Sequence, residues 1–162
     1  MHTPGSLKHA ASTIERRLLT PYKATIVDLP DVNLVVSRAD EFPSGIKAAW
    51  DGLESKLPSL KGRKFYGLTV YEGSQLAYYA GVQPVNDEEV ASLGFPTMAI
   101  KGGKYARVKL FDWQNHTDKI GEIFGQLMED FQMDPNGAGV EYYRSQSELH
   151  LLMRLAQTKD QT

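Results

Sequence analysis

The sequence predicts an α+β fold, mainly antiparallel, in which the order strand, strand, helix, strand, strand is written twice. Three observations support this. Two stretches carry apolar residues at helical spacing, centred on Trp50 and Phe124. Each is followed by two extended, aromatic-rich runs joined by a short polar turn. The second copy trails the first by about seventy residues, a period too long for a solenoid. A pair of such units is expected to pack as one pseudo-symmetric domain, although two unrelated helix-and-hairpin units would give nearly the same class.

The elements follow in order. Leu7, Ala10, Ala11, Ile14 and Leu18 recur at helical spacing, so Ser6 to Leu19 is expected to form an amphipathic helix, stopped by Thr20-Pro21. Ala24 to Leu29 and Val32 to Arg38 read as strands around the turn signal Pro30-Asp31. Ser44 is placed to cap a helix whose inner side is Ile46, Ala49, Trp50, Leu53 and Leu57. Phe65 to Tyr71 and Leu76 to Gln83 read as a hairpin across Glu72-Gly73-Ser74-Gln75. Pro84 to Gly94, with Asp87, Glu88 and Glu89, reads as a polar, acidic linker.

In the second copy, Thr97 to Ile100 and Tyr105 to Phe111 are strands around a tight Gly102-Gly103 turn. Asn115 and Asp118 resemble a capping pair. Ile120, Ile123, Phe124, Leu127, Met128 and Phe131 form the second helical stripe, broken at Asp134-Pro135-Asn136-Gly137. Val140 to Arg144 and Leu149 to Leu155 make the closing hairpin. The expected organisation is an extension over 1–22, one domain over 23–157 with halves 23–84 and 95–157, and a flexible tail over 158–162.

Composition narrows the chemistry. There are 18 basic against 20 acidic residues, so no broad basic face is expected and direct DNA binding is not. Cysteine is absent, which removes disulfides, thiolate nucleophiles and Cys-ligated metals. No run approaches the ~18 apolar residues of a membrane span, and the first nineteen residues are too charged for a signal peptide, so a cytoplasmic protein is expected. His2, His9, His116 and His150 lack metal-pair spacing, and the neighbours of His150 suggest a satisfied or edge histidine. No phosphate loop or nucleophile elbow is present, and no cofactor is expected.

The aromatic residues are the most informative. Tyr66, Tyr71, Tyr78, Tyr79, Tyr105, Tyr142 and Tyr143 all fall in predicted strands. Most must serve packing, yet walls of tyrosine also suit a pocket that is partly apolar and partly polar. Within Val140-Glu141-Tyr142-Tyr143, alternation puts Glu141 and Tyr143 on one face. Two readings of Glu141 stand. It is either a glutamate on the solvent face of a sheet, or a carboxylate inside an aromatic cavity. Inside a cavity, desolvation would raise its pKa and make it seek a cation.

Three stretches resemble the GyrI-like effector-binding family, which also supplies the ligand domain of AraC- and MerR-type multidrug regulators. They are Val35-Val36-Ser37-Arg38 leading into Ile46 to Leu53, then Gly103-Lys104-Tyr105-Ala106-Arg107-Val108, which resembles the family's Gly-x-Tyr-Ala-x-Phe signature, and Val140-Glu141-Tyr142-Tyr143 with the apolar strand from Glu148 to Met153. The resemblance spans Ala24 to Leu155. It implies an SHS2-like pair of βαββ units around a central ligand cavity, with Glu141 at the carboxylate position that meets cationic aromatic ligands. Tyr143 should share its face, and Trp50, Tyr66, Tyr71 and Tyr105 are further candidates for the ligand site. The regulators carry a helix-turn-helix module before this domain. Only about twenty residues precede the first strand here, too few for one.

The leading expectation is therefore a stand-alone protein that captures hydrophobic, cationic small molecules. Two alternatives stand beside it. One is a hydrolase of strained, cyclopropane-containing compounds using Glu141 with Tyr143; Glu72 is the pseudo-symmetric candidate for a second acid, but its place beside a turn suggests solvent. The other is a protein-interaction module such as a gyrase inhibitor, for which Asp87-Glu88-Glu89 is the available charge run.

Overall fold

A computed structural model describes residues 22–157; the expected helix over Ser6 to Leu19 and the tail 158–162 lie outside the described residues. Eight strands and three α-helices are described, in the order β1 (Ala24–Leu29), β2 (Val32–Arg38), α1 (Ile46–Ser55), β3 (Phe65–Glu72), β4 (Gln75–Val82), α2 (Asp87–Leu93), β5 (Thr97–Ile100), β6 (Gly103–Phe111), α3 (Lys119–Asp130), β7 (Gly139–Tyr143) and β8 (Glu148–Arg154). A 3₁₀ turn, Trp113–Asn115, leads into α3. The class is α+β, as the periodicities predict. None of the described helices is long and apolar enough to cross a membrane.

All eight strands join one antiparallel sheet that curls into a half-barrel, in the order β1-β6-β8-β7-β3-β4-β2-β5. The β3–β4 and β7–β8 hairpins form as expected. The other two strand pairs do not. At Pro30-Asp31 the chain parts: β1 crosses to β6, while β2 runs between β4 and β5. At Gly102-Gly103 it parts again, since β5 stays with β2 and β6 lies between β1 and β8. The Gly102-Gly103 turn is therefore a point of divergence and not a hairpin. Gly103 lies at φ +137°, and a Cβ there would sit 2.9 Å from the Arg154 guanidinium. The two divergence points meet, because Gly102 N donates to Asp31 Oδ1 at 2.6 Å.

Both long helices lie on the same face of the sheet. Register makes this plain: Ala80, Gly67, Glu141, Leu151, Val108 and Ala24 are successive partners across six strands. Ala80 belongs to the core under α1, with Ala49, Leu53 and Val82. Leu151 and Val108 belong to the core under α3, with Ile123 and Leu127. Each fully buried leucine in these layers contributes about 1.5–3 kcal/mol by leaving water. No helix of the described residues covers the opposite face, where the sheet's own curl encloses Leu34, Val36, Leu68, Tyr105, Val140 and Leu152.

Three local expectations need correction. Ser44 does not cap α1, since its hydroxyl donates to Glu41 Oε2 and the capping position is Gly45, with no side-chain bond. Asn115 and Asp118 do not form a capping pair; Asn115 Nδ2 donates to Asp112 Oδ1, and Asp118 makes no capping bond. The linker from Pro84 to Gly94 contains α2. Asn86 Oδ1 accepts from Glu89 N at 2.9 Å to start it, and Gly94 at φ +73° ends it.

Candidate functional site

Glu141 stands on β7 at the centre of the sheet, on the helix-covered face between the areas beneath α1 and α3. It is 8 % exposed. Its neighbour across β3 is Gly67, and this glycine creates the space for the carboxylate. A Cβ on Gly67 would collide with both Glu141 Oε1 and the Tyr78 hydroxyl. Over that gap the Tyr78 hydroxyl reaches from β4 and donates to Glu141 Oε1 at 3.0 Å. Tyr143, two residues along β7 on the same face, donates to the same oxygen at 2.6 Å. Oε2 takes no donor from the described residues.

Trp50 completes the cluster from α1. Its indole Nε1 donates to Tyr78 Oη at 3.0 Å, and its ring meets Tyr143 edge-on at 5.5 Å between centroids. Trp113, on the 3₁₀ turn, meets the other side of Tyr143 at 5.1 Å. Phe65 lies against Trp50 at 5.9 Å. Tyr143 thus stands between two indoles, with its hydroxyl on a buried carboxylate.

The electrostatics follow from burial. Desolvation pushes the Glu141 carboxyl above its ordinary range, and the bonds from Tyr143 and Tyr78 only partly oppose this. Desolvation, followed by the Glu141 charge, raises both tyrosine hydroxyls far above theirs, so both remain donors. Among the described residues the carboxylate has neutral hydrogen-bond partners and no cation. It favours either a proton or a positively charged partner.

Trp50, Phe65, Trp113 and Tyr143 line a cleft of about 680 Å³, together with Ile46, Leu60 and the polar residues Glu54, Arg63 and Arg144. Its size suits a drug-sized molecule. Of the residues named from the sequence, Trp50 and Tyr143 line this cleft, and Glu141 lies behind Tyr143, bonded to its hydroxyl. Tyr66 lies on the opposite face, where it stacks on Tyr142 at 4.9 Å and burial pushes its hydroxyl up to about 12. Tyr105 is also on that face. Its hydroxyl donates to Lys101 O at 2.5 Å, and it lines a separate cavity of about 440 Å³ with Asp134 and Arg154. Tyr71 is 72 % exposed near the end of β3. Glu72 does not converge on Glu141; Arg38 at 2.7 Å and the Tyr79 hydroxyl hold it, and the Arg38 bond depresses its pKa.

Tyr78 and Gly67 were not singled out by the sequence. Both had a readable signal. Alternation puts Tyr78 on the same side of β4 as Ala80 and Val82, and a glycine inside an aromatic strand marks close approach of another group. His150 is a satisfied histidine: its Nε2 lies 2.6 Å from Glu148 Oε2 and its ring packs edge-on against Tyr142. Among the described residues, no three His, Cys, Asp or Glu side chains gather as a metal site.

The sequence matches no protein-family model and no curated protein. Solved structures share the fold. An integron cassette protein from the mobile metagenome of Vibrio cholerae superposes with a TM-score of 0.62 at 14 % identity, over 85 % of this chain and 100 % of its own. SAV2435, solved bound to tetraphenylphosphonium, gives 0.61 at 14 % identity, over 83 % and 94 %. A putative bacterial transcription regulation protein from Staphylococcus aureus MU50 gives 0.57 at 11 % identity, over 83 % and 99 %.

Proposed function

We propose that this chain is a small-molecule binding protein of the GyrI-like type, which takes lipophilic aromatic cations into the cleft beside α1 that Trp50, Phe65, Trp113 and Tyr143 line. The observation that carries the reading is Glu141, a buried carboxylate bonded only by neutral hydroxyls, one aromatic layer behind the cleft. A cation entering the cleft would compensate that charge in a dry environment. The faces of Trp50, Trp113 and Tyr143 would each add about 0.5–2 kcal/mol of cation–π attraction. The likeness in fold to a protein solved with tetraphenylphosphonium supports the same ligand class.

The strand order supports reading the domain as two βαββ units. Exchanging β1–β4 with β5–β8 turns the order of the sheet into its own reverse. Glu141 lies on β7 and its partner Gly67 on β3, so the carboxylate sits at the seam between the units.

A titration of the purified protein with a fluorescent rhodamine-type cation tests the reading, with Glu141→Gln as the comparison. Wild type is expected to bind at micromolar concentration, and the glutamine variant at least tenfold more weakly, about 1.4 kcal/mol. Equal binding by both proteins removes Glu141 as counter-charge. The raised pKa of Glu141, with Tyr143 bonded to it, favours a second reading, general acid–base hydrolysis. Recovery of the bound molecule chemically unchanged after prolonged incubation separates capture from turnover.

A further inference from the structure

The mouth of the cleft has two unlike sides. One is mainly apolar, made by Ile46 and Trp50 of α1 with Leu60, and α1 adds a single carboxylate, Glu54. The other is the turn between β7 and β8, which contributes Arg144. Arg144 is exposed, and no ion pair or hydrogen bond engages it among the described residues. Glu148 feels its charge but is itself bonded to His150. The second arginine of the wall, Arg63, is already neutralised by Glu89, at 2.5 and 2.9 Å.

A simple cation seated on the aromatic walls would therefore have Glu141 behind Tyr143 on one side and, on the other, a guanidinium that no described residue pairs. The first contact attracts it and the second repels it. A ligand that carries its own anion at the outer end turns that repulsion into a charge-assisted, bidentate pair. We infer that the cleft selects aromatic zwitterions, with the cationic ring system toward Glu141 and a carboxylate, or a similar planar anion, on Arg144. This rests on the cleft reading above and narrows its ligand class.

Rhodamine B and its ethyl ester share one xanthylium cation and differ in a free carboxylate, so the pair isolates the outer contact. At neutral pH and low salt, wild type is expected to bind rhodamine B about threefold to fivefold more tightly than the ester, the range for one exposed ion pair. In Arg144→Gln that ratio falls to about one. In Glu141→Gln both dyes weaken together and the ratio persists. Equal or tighter binding of the ester by wild type overturns the inference, as does a preference that survives in Arg144→Gln. Both of those results leave the cleft reading in place if Glu141→Gln still weakens both dyes. Failure of both dyes to bind folded wild type removes the cleft reading and the inference with it.

Discussion

Glu141 is held by two phenolic hydroxyls, yet its burial works against its charge. A carboxyl whose pKa is higher in the folded than in the unfolded chain binds its proton more tightly when folded. Its stabilising contribution is complete below the ordinary carboxyl range and is lost as pH rises through the folded value. Glutamine at this position keeps an acceptor for both tyrosines and never ionises. Glu141→Gln is therefore expected to melt at the same temperature as wild type near pH 3, and several degrees higher at pH 8. Thermal melts across that range check this, and a gap that does not widen with pH would contradict it. Loss of dye binding alongside a gain in stability would mark Glu141 as a residue kept for function at the expense of the fold.

At this scale the sequence was legible where chemistry is local. Alternation along β7 is enough to put Tyr143 beside Glu141. It does not tell which phase of β3 or β6 shares that face, because this depends on register between strands distant in the chain. Tyr66 and Tyr105 consequently proved to be on the other side.

The helix α2 shows what an element can hide. Its composition, with Asp87, Glu88 and Glu89 in a row, reads as a solvated loop. Its start and stop signals, Asn86 three residues before Glu89 and then Gly94, are those of a capped helix. The acidic run also helps, since negative charge in the first turn complements the helix dipole. Glu89 is not solvated. It accepts two bonds from Arg63, which precedes β3, and a third from Val85 N, fastening α2 to the wall of the cleft. The Arg63 bonds hold its pKa below the ordinary range. Its contribution is therefore present at neutral pH and fades as pH falls through that depressed value. Glu89→Gln is expected to lower Tm by about 4–8 °C at pH 7, from the loss of a nearly buried charge-assisted pair. Calorimetry at pH 7 and pH 3 tests this, and the difference should shrink at the lower pH.

Over the described residues, the periodicities located nearly every strand and helix and the β3–β4 and β7–β8 hairpins, but not the other pairings. Pro30-Asp31 and Gly102-Gly103 are good turn signals, and a turn signal does not distinguish a hairpin from a fork. The choice is made by distant partners: β1 finds β6, and β2 finds β4 and β5. Each half of the chain lends its first strand to an edge of the other, while the β3–β7 pairing joins the two halves at the centre of the sheet.

That exchange sets a clock on the ribosome. Ala24 is made early, and its partner Val108 emerges on the order of ten seconds later at ordinary rates of translation. Until then β1 is a strand without a neighbour, bearing Ile26, which stays 55 % exposed even in the finished fold. A second nascent or refolding chain offers the same β6 edge, and the geometry would accept it equally well. Refolding from denaturant at rising protein concentration should therefore yield a growing fraction of dimers that exchange β1 and dissociate slowly once formed. Size-exclusion chromatography immediately after refolding would detect them, and a purely monomeric product at the highest concentration would rule the exchange out.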